Sequence, residues 1–202
     1  MTLITDSTSL RDHYVEPEGR AVTKEIFALE VHSRRFIELS PFCVLATILD
    51  GGLPDLSPRG GEPGFVRIVE EQTLLIPDSS GNNRIETISN VADRPSVAIL
   101  FLVPGFSETL RVYGTTEVLV EGQFEGVSSG DGRPTKTALK VEVNRVFFQC
   151  GKAGIRARLW DPEAAIERAI MPSLGQIIND QIGDPTPGET HEEIDQYYRE
   201  TL

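Results

Sequence analysis

Apolar residues recur at two different periods along the chain, and the changes of period divide it into three parts. Behind Thr23, a residue able to cap a helix, "KEIFALEVHSRRFIEL" places Ile26, Leu29, Phe36 and Ile37 at partly helical spacing, and Ser40-Pro41 ends the predicted helix. From Phe42 the texture becomes short β-rich runs: "CVLATIL", the turn Asp50-Gly51-Gly52, "LPDLSPR", "GFVRIV", the turn Glu70-Glu71-Gln72 and "TLLIP", which read as two hairpins. Between Asn83 and Asp93 the period returns to helical, with Ile85, Ile88 and Val91 predicting a short amphipathic helix. "SVAILFLV" is continuous enough to be buried on both faces; the turn Pro104-Gly105 and the long run "TLRVYGTTEVLV" follow. A flexible loop over 121–136 leads to "ALKVEVNRVFFQC". Asp161-Pro162 starts a predicted helix to Met171, and a second runs from Ser173 to about Ile182. Thr190 and Glu193 have capping-box spacing before a terminal helix with Ile194, Tyr197 and Tyr198 on its apolar face.

Seven strands with few helices between them exclude a doubly wound parallel sheet, which requires a crossover helix between most strands. The expected fold is mainly β: a small, mostly antiparallel barrel with peripheral helices, in one domain over 1–202. Its parts are an N-terminal arm and helix (1–41), a barrel core (42–160) and a C-terminal helical segment (161–202). The net charge of −12 excludes a broad nucleic-acid surface, and no apolar run reaches membrane-spanning length. The N-terminus lacks the pattern of a signal peptide, so a cytoplasmic location is expected. Cys43 and Cys150, both inside apolar runs, are expected as buried free thiols. His13, His32 and His191 are too scattered for a metal site or a triad.

In so acidic a chain the positions of the cations are informative. "GNNR", Gly81 to Arg84, stands directly before a helix, whose first amides are unpaired and partly positive; it reads either as a phosphate cradle or as a polar cap with a solvated Arg. In "DLSPRGGEPGF" Pro58 cannot donate to a ladder, so the strand is expected at a sheet edge, ending with Arg59 projecting beside free amides, or at an ordinary turn. "GKAGIRARLW" collects Lys152, Arg156, Arg158 and Trp160, a surface turn or a receiver for a flat phosphorylated ligand. Arg111 and Tyr113 share one strand face and look toward solvent, a ligand or a partner subunit.

Taken in order, "CVLATILDGGLPDLSPRGGEPGFV", "LLIPDSSGNNRIETISNV", "VAILFLVPGFSETLRVYGTTEVL" and "CGKAGIRARLW" resemble the pyridoxamine 5′-phosphate oxidase-like superfamily of FMN-binding split β-barrels, and within it the branch of FMN-dependent enzymes of unassigned substrate. The resemblance implies a homodimer with two FMN sites at the subunit interface and an oxidoreductase acting on a small molecule. It places Ser57, Pro58, Arg59 and Gly60 along the flavin ring and Asn82, Asn83 and Arg84 on the phosphate. Arg111, Lys152, Arg158 and Trp160 then come from the partner subunit or cover the ring. Catalytic residues are not identified by it, since the flavin carries the electron chemistry. Alternatives are a flavin-binding protein without turnover and an F420-dependent reductase on the same barrel; related barrels also use heme. Two departures count against vitamin B6 oxidation and a standard phosphate grip. Gly154 stands where the substrate-handling Arg of true pyridoxamine-phosphate oxidases would be, and Asn83 replaces a second basic residue.

Overall fold

The computed structural model describes residues 6–78, 84–128 and 135–201. Seven strands, β1 (Phe42–Ile48), β2 (Pro54–Gly60), β3 (Arg67–Ile68), β4 (Thr73–Pro77), β5 (Ser96–Leu102), β6 (Thr109–Val120) and β7 (Thr137–Gln149), form one antiparallel sheet in the order β2-β1-β5-β6-β7-β4-β3. The helices are α1 (Ser7–Leu10), α2 (Arg20–Thr23), α3 (Val31–Leu39), α4 (Glu86–Asp93), α5 (Lys152–Ala157), α6 (Leu174–Ile182) and α7 (His191–Thr201). The two hairpins, the seven strands and the mainly β class agree with the sequence reading. The sheet does not close by hydrogen bonding, and β2 and β3 remain its two edges.

The sheet is two-faced, which sets what can line a site. Along β1, Cys43, Leu45 and Thr47 point inward; along β5, Val97, Ile99 and Phe101 do the same, so β5 alternates rather than being buried on both faces as its continuous apolar run suggested. The inner residues meet Val112 and Leu110 of β6, and Val141, Val143 and Val146 of β7, in one continuous core. The outward residues of β1 and β5 are mostly half-buried. At the point where β6 and β7 bulge between Tyr113 and Gly114, the backbones approach so closely that a Cβ at Gly114 would lie 2.3 Å from the Glu142 carbonyl oxygen.

Of the helix expected behind Thr23 and running to Leu39 only its second half, α3, forms; α2 ends at Thr23 itself. Between them Ile26 exchanges backbone hydrogen bonds with Val146 (3.1 and 2.8 Å), and the Leu29 amide donates to Gln72 Oε1 at 2.7 Å. These tertiary bonds outcompete helical ones, and α3 restarts behind Glu30, whose carboxylate accepts from the amides of His32 and Ser33 while the Ser33 hydroxyl accepts from the Glu30 amide. Burial pushes the Glu30 carboxyl up, but these donors outweigh it and hold the group below its ordinary range. Phe36 of α3 then plugs one end of the core, edge-on to Phe148 (5.3 Å) and Phe106 (5.9 Å).

Further corrections follow the same logic. "GFVRIV" supplies only the two-residue β3. The predicted helix from Asp161 to Met171 is two isolated turns, Pro162–Ala164 and Arg168–Ile170, although Asp161 does cap the first through the Glu163 amide. The segment 152–157, read as a surface turn, is the helix α5. Cys43 is buried, whereas Cys150 is exposed. α6 behind Ser173, and α7 behind the Thr190/Glu193 capping box, form as expected. Among the described residues no helix is long and apolar enough to cross a membrane.

Candidate functional site

β2 alternates strictly, so Asp55, Ser57 and Arg59 turn inward beside Thr47, Leu45 and Cys43 of β1, while Leu56 and Pro58 turn outward. Pro58 is tolerated because β2 is an edge strand, as expected; the strand nonetheless continues past it to Gly60, and Arg59 is not a projecting strand end. The Arg59 side chain is only 10% exposed. Its Nη1 donates to the Pro58 carbonyl at 2.9 Å and to the Ser57 hydroxyl. Its Nη2 lies 3.7 Å from Asp78 Oδ1, just past the end of β4, and makes no hydrogen bond among the described residues. A charge-bearing nitrogen is thus held inside the barrel with spare donor capacity. The Cys43 thiol, opposite Arg59 in register, is pushed up to about 12 by burial, Arg59 pulling weakly the other way, so it packs as a neutral group.

At the other part of the site Arg84 precedes α4. Asn82 and Asn83 lie outside the described residues, as does Gly81. The Arg84 side chain is 81% exposed and ion-paired with Glu86, which holds the Glu86 carboxyl below its ordinary range. The residue before α4, Ile85, sits at φ 47°, ψ 21° and gives no side-chain acceptor to the first amides of the helix. A β-branched residue in the left-handed region costs roughly 1–2 kcal/mol. Backbone strain at Ile85 and the lack of a cap from its side chain therefore coincide at the start of α4.

What fixes α4 is a residue that the apolar spacing missed. Asn90, 8% exposed, donates from Nδ2 to Thr47 Oγ1 at 3.0 Å and to Asp55 Oδ2 at 3.1 Å, and Thr47 also bonds Asp55 at 3.3 Å. Of the expected face Ile85, Ile88 and Val91, Val91 is buried and Ile88 packs against the core, but Ile85 is exposed and Thr87 and Asn90 are buried in addition. A polar residue one position before an apolar one at helical spacing was the available signal.

The remaining candidates stand elsewhere. Arg111 is on the outer face of β6, in register with Leu100 and Phe147. With Arg145 it flanks the stacked pair Tyr113–Phe147 (6.0 Å, 18°); the Arg145 guanidinium is 4.1 Å from the Tyr113 ring, and Lys24 Nζ is 5.2 Å from Phe147. Pro58 shares that outer face, three strands away, about 14 Å by strand spacing. Arg59 and Arg111 thus lie on opposite faces of one sheet.

Lys152 opens α5, and Trp160 Nε1 donates to the Phe106 carbonyl at 2.7 Å. Arg158, left-handed at the end of α5, is engaged by Asp161 (2.6 Å) and Glu163 (3.7 Å). α5 lies against the β5–β6 turn at Ser107: a Cβ at Gly151 would be 2.7 Å from Ser107 Cβ, and one at Gly154 3.0 Å from the Ser107 carbonyl oxygen. A side chain at 154 would press on that backbone by a few tenths of an ångström, so packing favours the glycine. The exposed Cys150 is lowered by the Lys152 amide, against a small opposing effect of burial.

The structure therefore groups Ser57 with Arg59 inside the barrel, sets Arg84 at the start of α4, and leaves Arg111 and the Lys152–Trp160 segment outside. Among the described residues no cluster of three His, Cys, Asp or Glu could hold a metal.

No curated protein matches the chain. Among solved structures it is similar to HupZ of Group A Streptococcus (18% identity, TM-score 0.46, 59% of this chain and 93% of that one). It is also similar to a pyridoxamine 5′-phosphate oxidase-related, FMN-binding protein of Nostoc punctiforme (13%, 0.40, 58% and 78%) and to an F420 reductase (16%, 0.41, 57% and 94%). The family model described as Pyridoxamine 5′-phosphate oxidase matches residues 29–150, more than half of the chain and spanning α3 to β7, and the chain belongs to that family.

Proposed function

We propose that this chain is a cytoplasmic FMN-dependent oxidoreductase acting on a small molecule, working as a homodimer with the flavin at the seam between two barrels. The observation that carries the reading is the buried Arg59 guanidinium, whose Nη2 makes no hydrogen bond among the described residues and has the Asp78 carboxylate near it at 3.7 Å, in a chain of this family. Such a donor, beside the Ser57 hydroxyl, suits the polar rim of a planar ring, and the start of α4, which the Ile85 side chain does not cap, suits a phosphate together with Arg84. The residues fit the group. When bound, flavin supplies the hydride or electron transfer, so the protein has to bind and orient rather than provide a nucleophile.

Ser57, Pro58, Arg59 and Gly60 would hold the ring and Asn82, Asn83 and Arg84 the phosphate. Arg84 first exchanges Glu86 for the phosphate, a small loss because the pair is solvent-exposed. Arg111 cannot join Arg59 from within one chain, since the sheet separates them; a second copy bringing its own Arg111, Lys152 and Trp160 to the seam resolves this. Arg158, occupied by Asp161 and Glu163, has the least spare capacity of the set.

The test is the absorption spectrum of the purified protein, followed by FMN titration and anaerobic reduction with NADH or NADPH. Oxidised-flavin bands, and an Arg84→Ala variant whose FMN dissociation constant rises about ten- to a hundredfold, are expected. A protein that takes up no FMN sinks the proposal; retention of F420 in competition makes it a deazaflavin reductase, and FMN uptake without reduction coupled to product makes it a flavin carrier.

A further inference from the structure

The C-terminal segment is held together by contacts of its own. α6 and α7 pack on each other and bury Ile194 and Ser173 between them. Their connection is locked by polar bonds: Asn179 Nδ2 to the Thr186 carbonyl (2.9 Å), the Gly188 amide to Gln176 Oε1 (3.1 Å), His191 Nε2 to the Met171 carbonyl (3.0 Å) and Arg168 to Asp195. The backbones approach so closely that a Cβ at Gly188 would lie 2.2 Å from the Gln176 nitrogen. The module is joined to the barrel end through Trp160, whose indole bonds the Phe106 carbonyl.

So ordered a segment leaves its apolar side chains uncovered. Leu174, Ile178 and Ile182 form one stripe at i, i+4 and i+8 on α6, a helix with no buried residue, and Ile170, Met171 and Tyr198 extend it; Ile170 is 73% exposed. The same segment, 161–202, carries ten Asp and Glu against two Arg, two thirds of the chain's net charge of −12. An apolar stripe framed by negative charge is repelled by anionic lipid and by nucleic acid. It matches a surface with an excess of positive charge and aromatic content, and the outer face of β6 and β7 is such a surface: Lys24, Arg111 and Arg145 surround the half-buried Tyr113–Phe147 stack, with Glu25, ion-paired to Arg145 at 3.1 Å, as an opposing charge among the described residues there.

We propose that the C-terminal module is an exchange arm that docks on a second copy of this chain, its α6 stripe and acidic flank lying on the Lys24/Arg111/Arg145 and Tyr113/Phe147 face of the partner subunit. This rests on the homodimer reading and adds to it which surfaces meet.

Zero-length carbodiimide coupling of the full-length protein, with mass spectrometry on a mixture of isotopically light and heavy chains assembled together, tests it alongside sedimentation equilibrium. Expected are a dimer, mixed-isotope links between Lys24 and carboxylates of 189–200, and at least a tenfold rise in the dimer dissociation constant for the double substitution Leu174→Asp, Ile178→Asp. A dimer whose Lys24 links are absent or confined to one chain overturns the arm exchange and leaves the homodimer standing. A monomer at all concentrations overturns both. Since the cross-links are read on the unsubstituted protein, the result does not depend on whether the double variant folds.

Discussion

Asn90→Ala tests whether the polar clasp under α4, rather than the apolar spacing of that helix, sets where the candidate phosphate end stands. The substitution removes a neutral hydrogen bond to Thr47 (3.0 Å) and one to the Asp55 carboxylate (3.1 Å). The first is worth about 1 kcal/mol net and the second about 1.5–3 kcal/mol because its acceptor is charged. Asp55 keeps only the Thr47 hydroxyl, so a loss of roughly 2.5–4 kcal/mol in unfolding free energy is expected. Urea denaturation with an unchanged m-value measures it. A double-mutant cycle with Asp55→Ala should return a coupling of about 1 kcal/mol or more, because the two residues touch. FMN affinity should fall with the same substitution although Asn90 reaches no ligand, since α4 carries Arg84. A loss below about 0.5 kcal/mol with no coupling to Asp55 would refute the clasp and return α4 to its apolar contacts.

Three further outcomes are expected. Arg59→Ala should destabilise by about 3 kcal/mol, the low end for breaking a buried ion pair because the partners are 3.7 Å apart, measured by the same denaturation; a neutral result would mean that the barrel tolerates Asp78 without it. In native protein a disulfide reagent should modify Cys150 quickly and Cys43 only after unfolding; rapid modification of both would show that the barrel opens. Against the opposing effect of burial, backbone donors hold the Glu30 carboxyl below its ordinary value in the folded chain, so its contribution is present above that ordinary value and is lost as pH falls through the lower folded value. A pH series of unfolding midpoints should show Glu30→Gln to be less destabilising in acid than at neutrality, and a gap independent of pH would remove the cap from the acid response.

Local chemistry was legible in the chain itself. Alternation and turn residues sufficed for seven strands, since period two with Gly or Pro at the breaks leaves few other backbone solutions, and Ser173 and Thr190 announced their helices because capping is a bond within one turn. The edge position of β2 was readable from Pro58, which cannot donate to a neighbour. The ordered motifs pointed to the family that the match over 29–150 shows. Long-range contacts decided the rest. The pairing of Ile26 with Val146 broke a helix that propensity favoured, and Asn90 tied α4 to two partners 43 and 35 residues away. The inward turn of Arg59 toward Asp78 needed the strand register, and the Ser107 backbone, distant in sequence, favours glycine at position 154. Periodicity reports which side of an element is apolar; which side is covered, and by what, depends on groups that only the folded chain brings together.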